Sequence, residues 1–502
     1  MALPQLSLGR LTAARAAPWL DRAVPLGFGL ALLILTPWRS AFQFGMDEGF
    51  ELMKALLVSR GHPLYGDFWN DQPPLHTELL ALLFRLFGPS AGVGRFLSVA
   101  FAVVLVAALY VLARRGSNRV AGLVAVGLLA SASGFLELSV SVMLELPAFA
   151  LGLAAVWAWS RSERGAKRGW LVLSGTLLAC ALQVKLTAAL VLPALAADFL
   201  TGDRALRTRT EPLAAESRVR EGWKVVWIWL GSAAGVFGLV TLLFYRPGAW
   251  AVFGAAHFSA ATLAGAAQWK LVFDPATLLK EELALLAPAA LGLGLLVWKR
   301  RRDLVFPAAL LVTVLLVHWQ HRPYWPYYRL HLAIPLAWLG AVGLAEGFRA
   351  LWRVFPGVSR RAWLRFGSGW VACSLALATS VAFGVEKIGW ELGRLRRAPR
   401  AQEESRVAAL RARASGVRWV FTEDRLSAFW AGLPIPPELA VIPAKRLWSG
   451  QLTPAQAPQW LERYRPELIW LSEWRVKQLE LANYLKARYR PDPSTPDLFL
   501  RR

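Results

Sequence analysis

Cysteine is nearly absent from this chain of 502 residues, and charge is scarce. The two cysteines, Cys180 and Cys373, both lie inside apolar runs, so no disulfide framework is expected. Charged residues make up only 18% against 56% hydrophobic ones, and mean hydropathy is +0.40. A soluble globular chain carries more charge and rarely sustains such long apolar stretches. Acidic residues are outnumbered 33 to 57, which leaves a formal net charge of +24. A surplus that large invites a nucleic-acid reading, because a dense basic surface releases counterions from phosphate. Its distribution argues otherwise: the arginines fall in short clusters between apolar stretches, as membrane topology requires. No Gly-x-x-x-x-Gly-Lys-Ser/Thr loop and no Rossmann glycine fingerprint is present, so nothing marks a nucleotide-binding domain. There is also no internal repeat, no low-complexity tract and no small-residue cleavage pattern after the first apolar stretch.

What is abundant is apolar sequence in membrane-sized runs, together with 25 tryptophans, the residue favoured at membrane–water boundaries. A spanning helix needs roughly 20 mainly apolar residues, with about 17 as a lower limit. Runs at 24–38, 94–113, 120–136, 145–159, 170–184, 186–199, 223–245, 283–298, 304–319, 328–345 and 367–385 predict about eleven spans. With the N-terminus inside, the connections 1–22, 114–119, 161–168, 204–224, 299–302 and 349–365 carry 25 Lys and Arg. The longer opposite set (39–92, 137–144, 185, 246–282 and 320–329) carries 10. The bias obeys the positive-inside rule and places the C-terminus outside. The fold class expected is therefore an α-helical polytopic membrane protein over residues 1–388, followed by a small extracytoplasmic α/β domain over 389–502.

Two outside connections, 39–92 and 246–282, are too long to be simple turns, and long ordered loops on one face are where a binding site is expected. The stretches 48–60 and 75–87 are amphipathic and predict helices lying along the interface. In the tail, 394–413 reads as a charged helix, 417–421 and 467–471 as strands, and 423–431 as a helix. Thr453 is the expected N-cap of a helix through Tyr464, and 473–488 reads as one closing helix. The tail is basic, which suits either contact with anionic lipid headgroups or an ordinary folded domain.

Ionisable and tyrosine side chains gather on the predicted outer face: Asp47, Glu48, Arg95, Glu137, Glu145, Lys185, His321, Arg322, Tyr327, Tyr328 and Arg329. Such a cluster suits an anionic, hydroxyl-bearing substrate. Read singly, each also suits a plain helix end, where charge is cheap. His76, His257 and His321 show no ligand spacing, so no metal is assigned.

Motif order adds to this. Met46-Asp47-Glu48-Gly49, then Gly61 through Phe68 with Tyr65 and Asp67, then Gln72-Pro73-Pro74-Leu75, resemble the opening of GT-C glycosyltransferases. The likeness is to the branch of protein O-mannosyltransferases and lipid A aminoarabinose transferases. Arg95 opens the second span as a family arginine does. Met143-Leu144-Glu145-Leu146-Pro147, Val184-Lys185-Leu186-Thr187 and Tyr327-Tyr328-Arg329 with Pro335 resemble later family elements, with Glu145 where many relatives carry Asp and Lys-Leu where they carry Lys-Gly. Val420 to Asp424, Ala431 to Pro434 and Ser449 to Thr453 resemble the outer domain of bacterial members. The resemblance implies a transferase that moves a sugar from a polyprenyl-phosphate-linked donor to an acceptor hydroxyl with inversion, in the cytoplasmic membrane with its site outside. By that resemblance Asp47 is the general base and Glu48 orients it or binds the acceptor. Lys185, Arg95 and Arg329 neutralise the donor phosphate, and Tyr65, Glu145, Tyr327 and Tyr328 bind substrate. Some relatives use a divalent metal and others do not. The acceptor is left open among protein, lipid and polysaccharide. A lipid or polysaccharide transporter or flippase would place charges near the bilayer midplane and show symmetry between halves, which the sequence lacks. A non-catalytic partner in envelope assembly would keep the acidic pair only as structure.

Overall fold

The computed structural model describes residues 18–162, 168–201, 215–354 and 360–502. The parts of the predicted inner connections at 1–17, 163–167, 202–214 and 355–359 lie outside the described residues. Each apolar run that predicted a span is helical, though not always as one helix. Among the described residues, six helical stretches are long and apolar enough to cross a membrane: Ala91–Gly116, Trp223–Phe244, Ala249–Ala267, Arg302–Gln320, Pro326–Ala350 and Gly369–Arg396. Pro275–Glu281 and Leu283–Trp298 make a seventh if the pair, bent by 98°, counts as one span. Arg119–Ala130, Arg168–Val184 and Leu186–Thr201 are apolar but shorter.

Two predicted spans are broken. The run at 120–136 is helical as far as Ala130, and after a turn in which Gly134 adopts a left-handed conformation (φ 76°) the chain restarts as the short helix Phe135–Val140. The run after Lys185 opens as a tight 3₁₀ turn, Leu186–Leu190, before Val191–Thr201 continues it. The connection 246–282, expected as loop, is mostly helical. Ala249–Phe258 and Ala260–Ala267 together have the length and composition of a span, yet both pack on the tail helix Ala444–Trp448.

Helix packing follows membrane rules, in which small residues let backbones approach. Arg329–Val354 is the central helix, with 89% of its apolar window buried, whereas the window of Trp223–Phe244 is only 6% buried. It meets Leu283–Trp298 at paired glycines: a Cβ on Gly292 would come within 2.2 Å of the Leu339 carbonyl oxygen, and one on Gly343 within 2.5 Å of the Gly292 nitrogen. A polar chain stitches three further helices, Trp229 Nε1 donating to Ser174 Oγ (3.0 Å) and Ser174 Oγ to the Ala155 carbonyl (2.8 Å).

The helix Arg360–Arg396 runs through the predicted boundary at 388/389, and the chain leaves it only after Arg396. Beyond it lies a four-stranded sheet of order β1-β2-β4-β3, where β1 is Val420–Thr422, β2 Leu468–Trp470, β3 Tyr489–Pro491 and β4 Leu498–Arg501. β1 and β2 are parallel, and β4 is antiparallel to both its neighbours. The last two strands were not predicted, being short and flanked by charge. The predicted charged helix is reduced to Ser405–Ala412. Thr453 does not cap: its backbone N–H is taken by Gln456, and the helix runs Gln456–Tyr464 behind Ala455. The closing helix splits into Glu473–Gln478 and Ala482–Arg488 at Glu480, whose φ is 53°.

The tail shares one apolar core with the first long connection, 39–92. Leu52, Met53, Leu56 and Phe84 belong to the same cluster as Phe421, Leu426, Ile435, Leu439 and Ile469. The predicted amphipathic helices are present as Glu48–Ser59 and Leu75–Phe87, but the first is not laid on lipid. It is buried on nearly all sides, packed by the tail helix Arg425–Trp430, while Leu86 and Phe87 keep the second helix's apolar edge exposed.

Gly265 lies against Trp448, where a Cβ would come within 2.5 Å of the indole. Gly265→Val is expected to cost about 1–3 kcal/mol through overpacking. A thermal melt and hydrogen exchange across 444–448 check this, with faster exchange there than in the central helix.

Candidate active site

The site grows from the turn that follows the first helix. Residues 38–47 form turns and bends with only an isolated bridge from Ala41 to Arg400, and most of their carbonyls need other partners. Arg95, in the first turn of Ala91–Gly116 and fully buried, supplies them: its Nη1 donates to the carbonyls of Trp38 (3.1 Å) and Ala41 (2.7 Å), and Nη2 to that of Phe42 (3.2 Å). Nε and Nη2 also grip both oxygens of Glu48, each at 2.8 Å. Glu48, likewise buried, accepts from the backbone N–H of Phe44 (3.1 Å) and Val142 (3.2 Å). Every N–H of the Arg95 guanidinium is therefore engaged. The expectation that Arg95 binds donor phosphate is corrected: it is a clamp, and Glu48 is its counter-ion, with no oxygen left for an acceptor.

Asp47, the adjacent residue, has the opposite environment. It stands at the N-cap of Glu48–Ser59, but its side chain makes no capping bond. No salt bridge engages it among the described residues, and it keeps partial exposure. Burial raises its pKa above the usual aspartate value of 3.8, opposed by Lys185, and Glu51 raises it further. Lys445 and Lys54 are its other cationic neighbours.

Lys185 reaches the same place because the helix Arg168–Val184 ends at it with an extended backbone (φ −157°, ψ 133°). Its ammonium pairs with Glu145, the buried first residue of Glu145–Ser162, and lies 5.0 Å from the Tyr327 ring centroid and 5.8 Å from that of Tyr328. The Tyr327 hydroxyl is turned toward Asp47. Asp47, Lys185, Glu145, Tyr327 and Tyr328 are thus brought together from four separate parts of the chain.

Two other expected residues are placed elsewhere. Arg329 pairs with Glu281, so its charge is engaged by the second long connection rather than by Glu145 or Asp47. Tyr65 stacks on Tyr245 (4.8 Å, 14° between planes) and donates its hydroxyl to the Gln72 carbonyl, bracing the loop that carries Asn70 and Asp71. Burial and the neighbouring Tyr245 push its pKa up, which suits a structural hydroxyl.

Four residues (Glu51, Lys54, Asp71 and Lys445) escaped the sequence reading, and a fifth, His257, was weighed there only as a metal ligand. Glu51 and Lys54 are a buried pair (2.7 Å) beneath Asp47, and Lys54 also reaches Asn70 at 3.3 Å. Asp71 pairs with Lys445 of the tail and with His257 Nε2 (3.2 Å). Burial works against ionisation of Asp71, but Lys445 and His257 overcome it and hold its pKa well below the usual range. Positions 47, 51 and 54 share one helix face, the signal that was available; nothing local marks His257 or Lys445. Among the described residues no three His, Cys, Asp or Glu side chains converge to hold a metal ion.

Because removing one partner strands a buried charge, Arg95→Met is expected to cost about 3–5 kcal/mol. Thermal stability in detergent measures it, and Glu48→Gln should lose a comparable amount, since it strands the buried guanidinium and turns an amide N–H2 toward groups that only donate.

Residues 71–216 match the family model described as dolichyl-phosphate-mannose-protein mannosyltransferase. No curated protein matches the sequence. The crystal structure of ArnT from Cupriavidus metallidurans bound to undecaprenyl phosphate is similar with a TM-score of 0.60 at 15% identity, covering 93% of this chain and 95% of that one. The oligosaccharyltransferase AglB from Archaeoglobus fulgidus, in complex with an inhibitory peptide and a dolichol-phosphate, gives 0.52 at 13% identity, over 90% of this chain and 69% of that one. The early helices thus resemble the mannosyltransferase family, and the fold of nearly the whole chain is that of ArnT, a polytopic helical membrane fold.

Proposed function

We propose that this protein transfers a sugar from a polyprenyl-phosphate-linked donor to an acceptor hydroxyl, on the extracytoplasmic face of the cytoplasmic membrane. The observation that carries the reading is Asp47: a partly open, unpaired carboxylate of raised pKa, facing Lys185 and Tyr327. Undecaprenyl phosphate in the similar ArnT structure supports the donor class, and the arginine-rich opposite connections support the sidedness.

In this reading Asp47 takes the proton of the acceptor hydroxyl as its oxygen attacks the anomeric carbon. The new C–O bond forms on the side opposite the phosphate. The old C–O bond breaks with its electron pair left on phosphate oxygen, so configuration inverts. Lys185 stabilises that departing charge from a site fixed before the reaction begins, which is where such electrostatic help is most effective. Glu145 holds the lysine, and the two tyrosine rings confine it.

Asp47→Asn is expected to lower the turnover of sugar transfer by about 10²–10⁴-fold at unchanged expression and melting temperature, the range of a lost general base. Mass spectrometry of envelope glycans and glycolipids reads it; unchanged transfer removes the base role and favours a transporter or an assembly partner. A carboxyl that already holds a proton accepts no other, so activity should fall as pH falls through the Asp47 pKa. The acid limb of the pH–rate profile should lie above 3.8, the ordinary aspartate value.

A further inference from the structure

Asp47 has three lysines as electrostatic neighbours, Lys185, Lys445 and Lys54. Each has its own carboxylate: Glu145, Asp71 and Glu51 respectively. Their accessibility differs. The Lys54 side chain is 3% exposed and tied to both Glu51 and Asn70, so it is sealed beneath the site. Lys185 is 12% exposed and Lys445 26%. An anion entering the pocket meets Lys445 more openly than any other of these cations.

Of the two arginines that the sequence offered for phosphate, Arg95 is sealed by Glu48 and backbone carbonyls, and Arg329, paired with Glu281, is not among the cationic neighbours named above for Asp47. That leaves Lys185, already balanced by Glu145. A sugar phosphodiester carries one negative charge. When it departs with the glycosidic electron pair it becomes a monoester of charge approaching two, since its second pKa is about 6. One neutralised lysine does not match that gain.

Resting on the sugar-transfer reading above, we propose that Lys445 is a second phosphate-binding residue, carried to the pocket by the tail domain. Asp71 holds its ammonium in place until the lipid phosphate displaces the carboxylate. His257, 3.2 Å from the same Asp71 oxygen and 30% exposed, keeps Asp71 satisfied when the lysine turns to phosphate. Lysine suits this exchange, being a compact charge on a flexible stem. The tail domain thereby completes the site rather than merely covering it.

The test uses the full chain in nanodiscs and measures binding of farnesyl phosphate against farnesol. Wild type is expected to prefer the phosphate, and Lys445→Met to weaken that binding by about tenfold or more, the worth of one charge-assisted contact. Lys445→Arg should retain most of it. Asp71→Asn frees the lysine and should leave phosphate binding equal or tighter. If Lys445→Met binds the phosphate as wild type does, the role of Lys445 is overturned while the sugar-transfer reading stands. If Asp71→Asn and Lys445→Met weaken binding alike, the pair is only a structural tie and the inference fails. If wild type binds farnesol as well as farnesyl phosphate, both readings fall together.

Discussion

Arg95 gives all five of its N–H groups to acceptors within the protein, and none to solvent. A buried guanidinium is tolerated only where its charge is paired and each hydrogen is satisfied. Here one side is met by both oxygens of Glu48 and the other by three carbonyls of the turn after the first helix. The clamp thereby ties that turn to the helix Ala91–Gly116 and sets where Glu48–Ser59 begins. Asp47 inherits its position from this arrangement without taking part in it. Neighbouring carboxylates thus acquire opposite characters: Glu48 is consumed by structure, and Asp47 is left free for chemistry.

Around Asp47 the protein places charges in opposed pairs, Glu51 with Lys54, Glu145 with Lys185 and Asp71 with Lys445. Pairing keeps the desolvation cost of so many charges bearable in a half-buried site. It also leaves the lysines charged and in place before any substrate arrives, the preorganised electrostatics on which transition-state stabilisation depends. The pairs come from well-separated segments, and two of the three join elements remote in sequence. The third pair exists only with the tail docked, and the shared core of Leu52, Met53 and Leu56 with Phe421, Ile435 and Leu439 is what docks it.

Much of this was legible beforehand. Apolar runs of membrane length marked each long helix, because lipid demands an unbroken apolar surface with internally satisfied backbone. The order of motifs brought Asp47, Lys185, Glu145, Tyr327 and Tyr328 to attention, and they do converge. Arg95 was misjudged because a cation at a helix end looks alike in sequence whether it faces a ligand or a carboxylate. Glu51 and Lys54 went unread because the helix carrying them resembled an interfacial helix with a wetted polar face, whereas the tail covers that face.

The sequence by itself determined the membrane class, the helical runs and the acidic turn, since these depend on composition and on spacing within a few residues. Only the tertiary structure decided which charges are spoken for. Ion pairs such as Lys445 with Asp71 join residues hundreds of positions apart, and their partners are chosen by how the helices and the tail pack. No local pattern records that choice.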